Sequence, residues 1–266
     1  MEIFSLKELM EKHNDSIHFI DVDPSVTSVY AIGDVHGCYE EMVELYNDCM
    51  NHASTNNKSA MVFFMGDLID RGPFFHETIE FIANTPNAYC LLGNHELNFY
   101  LEQMGKVCRS KSRAVSHEKF DLLDSVKKDM VMKTIGDMPN AVSIKFEDHT
   151  GRNYMSIILT HAPIRDIEYI NGNTNSNLNG PQCCMRATGV DMVALEKNVR
   201  DTIMVHGHQS WDFKPVNIQL KEQMDFSNRL INLDSGCVYG DVLTAICINT
   251  LEVLEVNAKA AYSGRH

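Results

Sequence analysis

The sequence has no apolar stretch long enough to cross a membrane as a helix, which argues against a membrane-spanning protein and a membrane partner. It holds eight cysteines but no Cys-x-x-Cys pair and no regular framework spacing. The reading is therefore reduced, mostly buried thiols, the adjacent Cys183 and Cys184 included. A basic surplus is missing too: 23 Lys and Arg stand against 36 Asp and Glu, for a net charge of -13. That balance excludes a general DNA- or RNA-coating role. It leaves an anionic substrate open, because bound cations can invert the local field. There is no internal repeat, no low-complexity block and no aromatic cluster to stack bases on. Residues Met1 to Met10 carry Glu2, Lys7 and Glu8 where a signal peptide needs an apolar core, so a cytoplasmic location is expected.

What is present is the composition of an ordinary globular chain. Its 266 residues suit one domain with a substantial core. Residues 1–266 are expected to form a single unit, with an N-terminal extension over 1–28 and a helical insertion or cap over 97–140. A short helix is expected at Leu6–Lys12. Val29–Gly33, Ala60–Met65 and Ala88–Leu92 read as strands, and Tyr39–Met50 and Phe74–Ala83 as helices. Met42, Val43, Leu45, Tyr46 and Met50 form an apolar stripe on the first helix. The result is a β-α-β-α-β unit with parallel strands. Its middle strand is one continuous apolar run, as for a strand buried on both faces. After Pro139 the pattern turns to strands: Ala141–Phe146, Tyr154–Thr160, Thr202–His206, Leu230–Asp234, Val242–Ile248 and Leu251–Val256. The Asn-rich stretch 171–180 is a loop by composition, either a substrate-contacting element or a plain surface excursion.

Five short polar motifs punctuate this pattern. They are Gly33-Asp34-Val35-His36-Gly37, Gly66-Asp67-Leu68-Ile69-Asp70-Arg71-Gly72, Gly93-Asn94-His95-Glu96, Thr160-His161-Ala162 and His206-Gly207-His208. The first three sit at the C-terminal ends of strands, where open α/β sheets build their sites. Asp34 and His36 are two apart on an extended segment and can grip one ion. Asp67, on the neighbouring strand, can bridge two ions roughly 3.5–4 Å apart. Asn94, His161 and His208 supply an amide and two imidazoles for the second ion. Mixed nitrogen and oxygen ligation suits Mn, Fe or Zn better than Ca or Mg alone.

The five motifs in this order resemble the metallophosphoesterase superfamily. Gly-Asp-Leu-Ile-Asp-Arg-Gly-Pro at 66–73 is similar to the phosphoprotein phosphatase branch, above all to small phage and bacterial serine/threonine protein phosphatases. Gly33–Glu40 and Leu233–Thr244 strengthen the likeness, which covers Val29 to about Val256. The resemblance and the strand order together imply a four-layer α/β/β/α sandwich with a helical insertion. The resemblance further implies that Asp34, His36 and Asp67 hold a first metal, and Asp67, Asn94, His161 and His208 a second, with Mn2+ the leading choice and Fe or Zn as alternatives. A water bridging the two cations would attack phosphorus in line. Arg71 would contact the phosphate, and Asp70 would orient His95, which could then protonate the leaving group.

Some positions depart from the superfamily pattern. Gly207-His208-Gln209-Ser210 lacks the second histidine of the common Gly-His-x-His, a departure that phosphoprotein phosphatases share. Arg186 is the best match for a second phosphate-binding arginine, with Arg165 competing. Tyr239 matches a substrate-lining tyrosine, with Asp241 where Gly or Asn is usual. His206 reads as structural or as a support for the ligands. His13, His18, His52, His76, His117 and His149 read as ordinary surface or loop residues. The leading expectation is a phosphoserine/phosphothreonine protein phosphatase, acting on a phosphoprotein or a phosphorylated small molecule. The alternative keeps the centre and changes the substrate, to a bis-nucleoside polyphosphate or a phosphorylated RNA end, with 97–140 and 165–190 as the specificity segments. A catalytically silent scaffold is disfavoured, because every ligand position, Asp70, Arg71 and His95 are present.

Overall fold

The computed structural model describes residues 17–147, 153–162, 202–210 and 230–264. Two five-stranded sheets form its frame. The first contains β2 (Thr27–Ile32), β3 (Ser59–Phe64), β4 (Ala88–Cys90), β9 (Val242–Cys247) and β10 (Glu252–Asn257), in the order β10-β9-β2-β3-β4. Strands β2, β3 and β4 are parallel, with Val29 opposite Met61 and Phe63 opposite Tyr89, and β9 closes antiparallel on β2. Helix α1 (Tyr39–Thr55) links β2 to β3, and α2 (His76–Asn84) links β3 to β4. The expected β-α-β-α-β unit is therefore observed. The second sheet contains β1 (Ile17–Val22), β5 (Ala141–Glu147), β6 (Asn153–Thr160), β7 (Thr202–His206) and β8 (Leu230–Asn232), in that order.

Side-chain alternation along each strand explains how the layers stack. Val29, Ala31, Phe63, Met65 and Leu91 face the second sheet and pack against Val142, Ile144, Ile157, Leu159 and Val205. Their neighbours Tyr30, Ile32, Val62 and Phe64 face the other way, onto Met42, Leu45 and Cys49 of α1. Strand β3 is covered on both faces, which is why residues 60–65 are an unbroken apolar run. Helix α1 runs past the expected Met50 because Ala53 extends its buried stripe by another turn.

Between β4 and β5 the chain is helical: α3 (Asn94–Gln103), a 3-10 turn (Lys111–Arg113), α4 (Ala114–Asp121) and α5 (Ser125–Gly136). Phe99, Phe120, Val131 and Ile135 join these helices to the core on the α1 side. The two sheets and this helical layer make three layers; a fourth, on the outer face of the second sheet, would lie outside the described residues. The same holds for Leu6–Lys12, the 171–180 loop and Cys183-Cys184. Among the described residues, Cys38, Cys49, Cys90, Cys237 and Cys247 are buried free thiols and Cys108 is exposed. No helix among them is long and apolar enough to cross a membrane.

Candidate metal centre

The polar motifs meet at one rim, where the chain leaves the C-terminal ends of β2, β3, β4, β6 and β7. Backbone bonds join the first two loops: the N–H of His36 donates to Asp67 O at 2.7 Å, and that of Gly37 to Leu68 O at 2.7 Å. His36, Asp67, Asp70, Arg71 and His208 all have positive φ, between 45° and 69°. Non-glycine residues seldom adopt that region, and such strain collects at functional sites. Two glycines are there because nothing larger fits. A Cβ on Gly93 would lie 2.3 Å from Asp67 N, and one on Gly207 would lie 2.0 Å from Asp34 Oδ1.

Asp67 stands at the middle. Its Oδ1 is 3.4 Å from His161 Nε2 and its Oδ2 is 3.6 Å from His36 Nε2. His161 Nε2 also lies 3.0 Å from Asn94 Oδ1 and 3.0 Å from His208 Nδ1. Backbone carbonyls fix two of these rings from behind. His36 Nδ1 donates to Ile69 O at 2.9 Å, and His161 Nδ1 to Met65 O at 2.8 Å. Each Nε2 is thereby turned towards the carboxylates, as in metal-ligating histidines. Asp34 is tied to the same cluster through the His208 N–H, at 3.1 and 3.0 Å from its two oxygens. Two compact donor groups result, Asp67 with His161 and His208, and Asp67 with His36 and His95. His95 rather than Asp34 completes the second of these, although its Nδ1 is committed to Asp70.

The electrostatics fit a cation. Burial, with Asp234 beside it, pushes the Asp34 carboxyl well above the usual range. Burial also raises Asp234, to about 6, with Asp67 adding to the rise. Crowded carboxylates of this kind are relieved by positive charge. Burial would lower His161, but Asp67 outweighs it and carries the ring up to about 10. Burial and His161 hold His208 down to about 4, and burial and Arg71 hold His36 well below its usual value. Neutral imidazoles keep the lone pairs that a divalent ion requires.

Asp70, Arg71 and His95 stand beside this cluster. His95 Nδ1 lies 2.5 Å from Asp70 Oδ2, and its backbone N–H donates to Asp67 Oδ1 at 3.0 Å. Burial opposes the charged ring, yet Asp67 and Asp70 together keep the His95 pKa above its ordinary value. Arg71 Nη1 reaches His36 Nε2 at 2.5 Å, and the guanidinium sits 5.6 Å from the centre of the Tyr239 ring. Arg186 and Arg165 lie outside the described residues. His206 is buried, and its Nδ1 donates to Gly207 O at 2.8 Å, steadying the turn that carries His208.

Two expectations about histidines need correction. His117 is buried rather than superficial, stacks on Phe99, and bonds Glu102 Oε2 at 2.6 Å. His52 bonds the Tyr30 hydroxyl at 2.8 Å and pairs with Glu252. Sequence reading also gave no role to Glu96, whose buried carboxylate accepts the N–H of Asp67 at 2.8 Å and of Ile69 at 3.1 Å. Its place beside His95 in the third motif was the available signal. Asp234 was quoted within a family-like string and left unassigned.

The family model for calcineurin-like phosphoesterases matches residues 27–227. An asymmetrical bis(5'-nucleosyl)-tetraphosphatase PrpE from Geobacillus sp. is 27% identical over 247 residues, 87% of this chain and 94% of that protein. A symmetrical bis(5'-nucleosyl)-tetraphosphatase from Nitrosospira multiformis is 24% identical, over 90% of this chain and 99% of that protein. A solved protein serine/threonine phosphatase from Saccharomyces cerevisiae shares the fold, with a TM-score of 0.52, 13% identity, and coverage of 95% of this chain and 88% of that one.

Proposed function

The chain belongs to the calcineurin-like phosphoesterase family, and from that premise we propose that it hydrolyses bis-nucleoside polyphosphates of the diadenosine tetraphosphate type. The carrying observation is the nearly end-to-end similarity to proteins named bis(5'-nucleosyl)-tetraphosphatases. It reverses the ranking drawn from the motifs, which put phosphoproteins first. On this reading Asp34, His36 and Asp67 hold one divalent ion, and Asp67, Asn94, His161 and His208 another, with Mn2+ the leading choice and Fe or Zn behind it. When bound, such a pair supplies Lewis acidity for a water nucleophile and for phosphoryl oxygens.

The chain's own residues do the rest. Arg71 offers a two-pronged donor to the oxygens of the transferring phosphoryl group, and Tyr239 packs against its guanidinium. Glu96 holds the backbone of the loop that carries Asp67. His95 keeps Nδ1–H on Asp70 and presents Nε2–H to the leaving oxygen. As the water oxygen bonds to phosphorus and the old P–O bond breaks, that proton passes to the departing group. The proposed substrate is an anionic small molecule, with no membrane partner and no general nucleic-acid binding.

The Asp70–His95 pair favours a second reading, a phosphoserine/phosphothreonine phosphatase. A serine alkoxide leaves only with a proton, whereas the terminal phosphate of a nucleotide is far more stable as an anion. Manganese-loaded protein assayed side by side on diadenosine tetraphosphate and a phosphoserine peptide separates the two. The expected result is a higher kcat/KM on the dinucleotide. A higher value on the peptide overturns the substrate assignment, and no turnover of either, or of p-nitrophenyl phosphate, overturns the enzymatic reading.

A further inference from the structure

Asp70 uses one carboxylate oxygen, Oδ2, to hold His95 Nδ1. Its other oxygen, Oδ1, accepts a hydrogen bond from Ser116 Oγ. Ser116 lies in α4, 46 residues further along the chain, and belongs to none of the five motifs. It is buried, and its position is fixed from the next residue on. His117 Nε2 donates to Glu102 Oε2 at 2.6 Å, its Nδ1 accepts from Gln103 Nε2 at 2.8 Å, and its ring stacks on Phe99. Arg113 binds the same Glu102 carboxylate, with Nη2 2.5 Å from Oε1.

A carboxylate held at one oxygen can turn about its Cβ–Cγ bond. Held at both, its plane is fixed, and the Oδ2 lone pair stays aimed at His95 Nδ1. Supporting bonds of this kind decide whether a catalytic ring keeps its orientation. We propose that Ser116 is a positioning residue for His95, acting through Asp70, so that the helical insertion helps set the efficiency of leaving-group protonation. The inference rests on the general-acid reading of His95, and the test keeps the two apart.

Manganese-loaded Ser116→Ala, Ser116→Thr and His95→Asn proteins are compared with the parent on phenyl phosphate and p-nitrophenyl phosphate in single turnover. Phenolate needs the proton more than p-nitrophenolate does. Ser116→Ala is expected to lose roughly tenfold on phenyl phosphate and less than about threefold on p-nitrophenyl phosphate, the scale of one bond to a charged group. Ser116→Thr keeps the hydroxyl and should restore the phenyl phosphate rate. His95→Asn should show the same pattern, enlarged. Equal losses for Ser116→Ala on both substrates, with the pattern intact in His95→Asn, overturn the Ser116 assignment. No leaving-group pattern in His95→Asn overturns the general-acid reading and the proposal with it. Should Ser116→Ala fail to fold, Ser116→Cys, close in shape but a weak donor, takes its place under the same criteria.

Discussion

Replacing Glu102 with Gln isolates what holds the helical insertion in place. The Glu102 side chain is 1% exposed. Its carboxylate accepts from Arg113 Nη2 at 2.5 Å, Arg113 Nε at 3.1 Å, His117 Nε2 at 2.6 Å and the Ser110 N–H at 3.2 Å. Glutamine keeps the volume but offers one acceptor oxygen, and its amide donors then face His117 or Arg113. Losing one charge-assisted bond and stranding one buried donor costs roughly 2–4 kcal/mol. In a domain of this size each kcal/mol moves Tm by about 2–4 °C, so the drop should be roughly 4–16 °C near neutral pH. The loss also carries a pH signature. Burial raises the Glu102 pKa, but its bonds to Arg113 and His117 outweigh burial and lower it. A carboxyl with a depressed folded pKa contributes stability above its unfolded value, about 4.3, and that contribution fades as pH falls through the folded value. Parent and variant should therefore differ most near neutrality and converge as pH falls below the unfolded carboxyl value and through the lower folded one. Thermal melts of both proteins in matched buffers read this directly. A drop under about 2 °C near neutral pH, or one that persists undiminished in acid, refutes the argument.

Three further outcomes are expected. Asp67→Asn removes the charge shared by both donor groups, so manganese content should fall at both positions and activity nearly vanish; two full equivalents by elemental analysis would remove the bridging role. His95→Asn should keep its manganese and lose roughly 10²–10⁴-fold in rate, whereas loss of metal would make His95 a ligand. Gly207→Ala forces a Cβ against Asp34 Oδ1, which it would meet at 2.0 Å, and should cost about 1–3 kcal/mol together with metal affinity. Gly105→Ala, with φ at +66° and nothing within 4 Å, is the control that costs only left-handed strain, about 1–2 kcal/mol, and metal titrations of the two variants should diverge accordingly.

The parallel β-α-β-α-β unit was legible because each of its elements advertises its environment. The apolar run at 60–65 matches a strand with two covered faces, and the stripe on α1 matches a helix with one. The meeting of Asp34, His36, Asp67, Asn94, His161 and His208 at one rim was legible for another reason: each follows closely on a strand, where the local pattern already says which way the backbone is heading. Ser116, His117 and Glu102 were not legible. Their partners lie in other helical elements or, for Ser116, in a strand-end loop, and nothing in a helix-prone polar stretch marks one serine as facing a carboxylate 46 residues back. The positive φ values of Asp67, Asp70 and Arg71 were equally hidden, since local preference would put glycine there. Long-range bonds such as those from the Asp67 and Ile69 amides to Glu96 hold that turn, and no window of sequence contains them. The motifs alone do not rank the substrate readings, for a related reason: they describe the phosphoryl end of the reaction, which both substrates share.

The way His95 is held bears on that choice. A nucleotide leaving group places little demand on an acid, so a hydrolase specialised for dinucleotides gains less from a ring clamped through Asp70 and Ser116. A donor at that position still helps, by a hydrogen bond to the bridging oxygen that strengthens as charge builds there. The two roles separate in magnitude. Proton transfer to an alkoxide should make His95→Asn lose most on a phosphoserine peptide and much less on diadenosine tetraphosphate. A hydrogen bond without transfer should make the two losses similar and modest, nearer tenfold than the upper end of roughly 10⁴ for general acid catalysis. Measured in single turnover, where product release does not mask the chemical step, the comparison identifies which leaving group the Asp70–His95 arrangement serves. Losses larger on the dinucleotide than on the peptide would contradict both roles and place His95 in substrate binding instead.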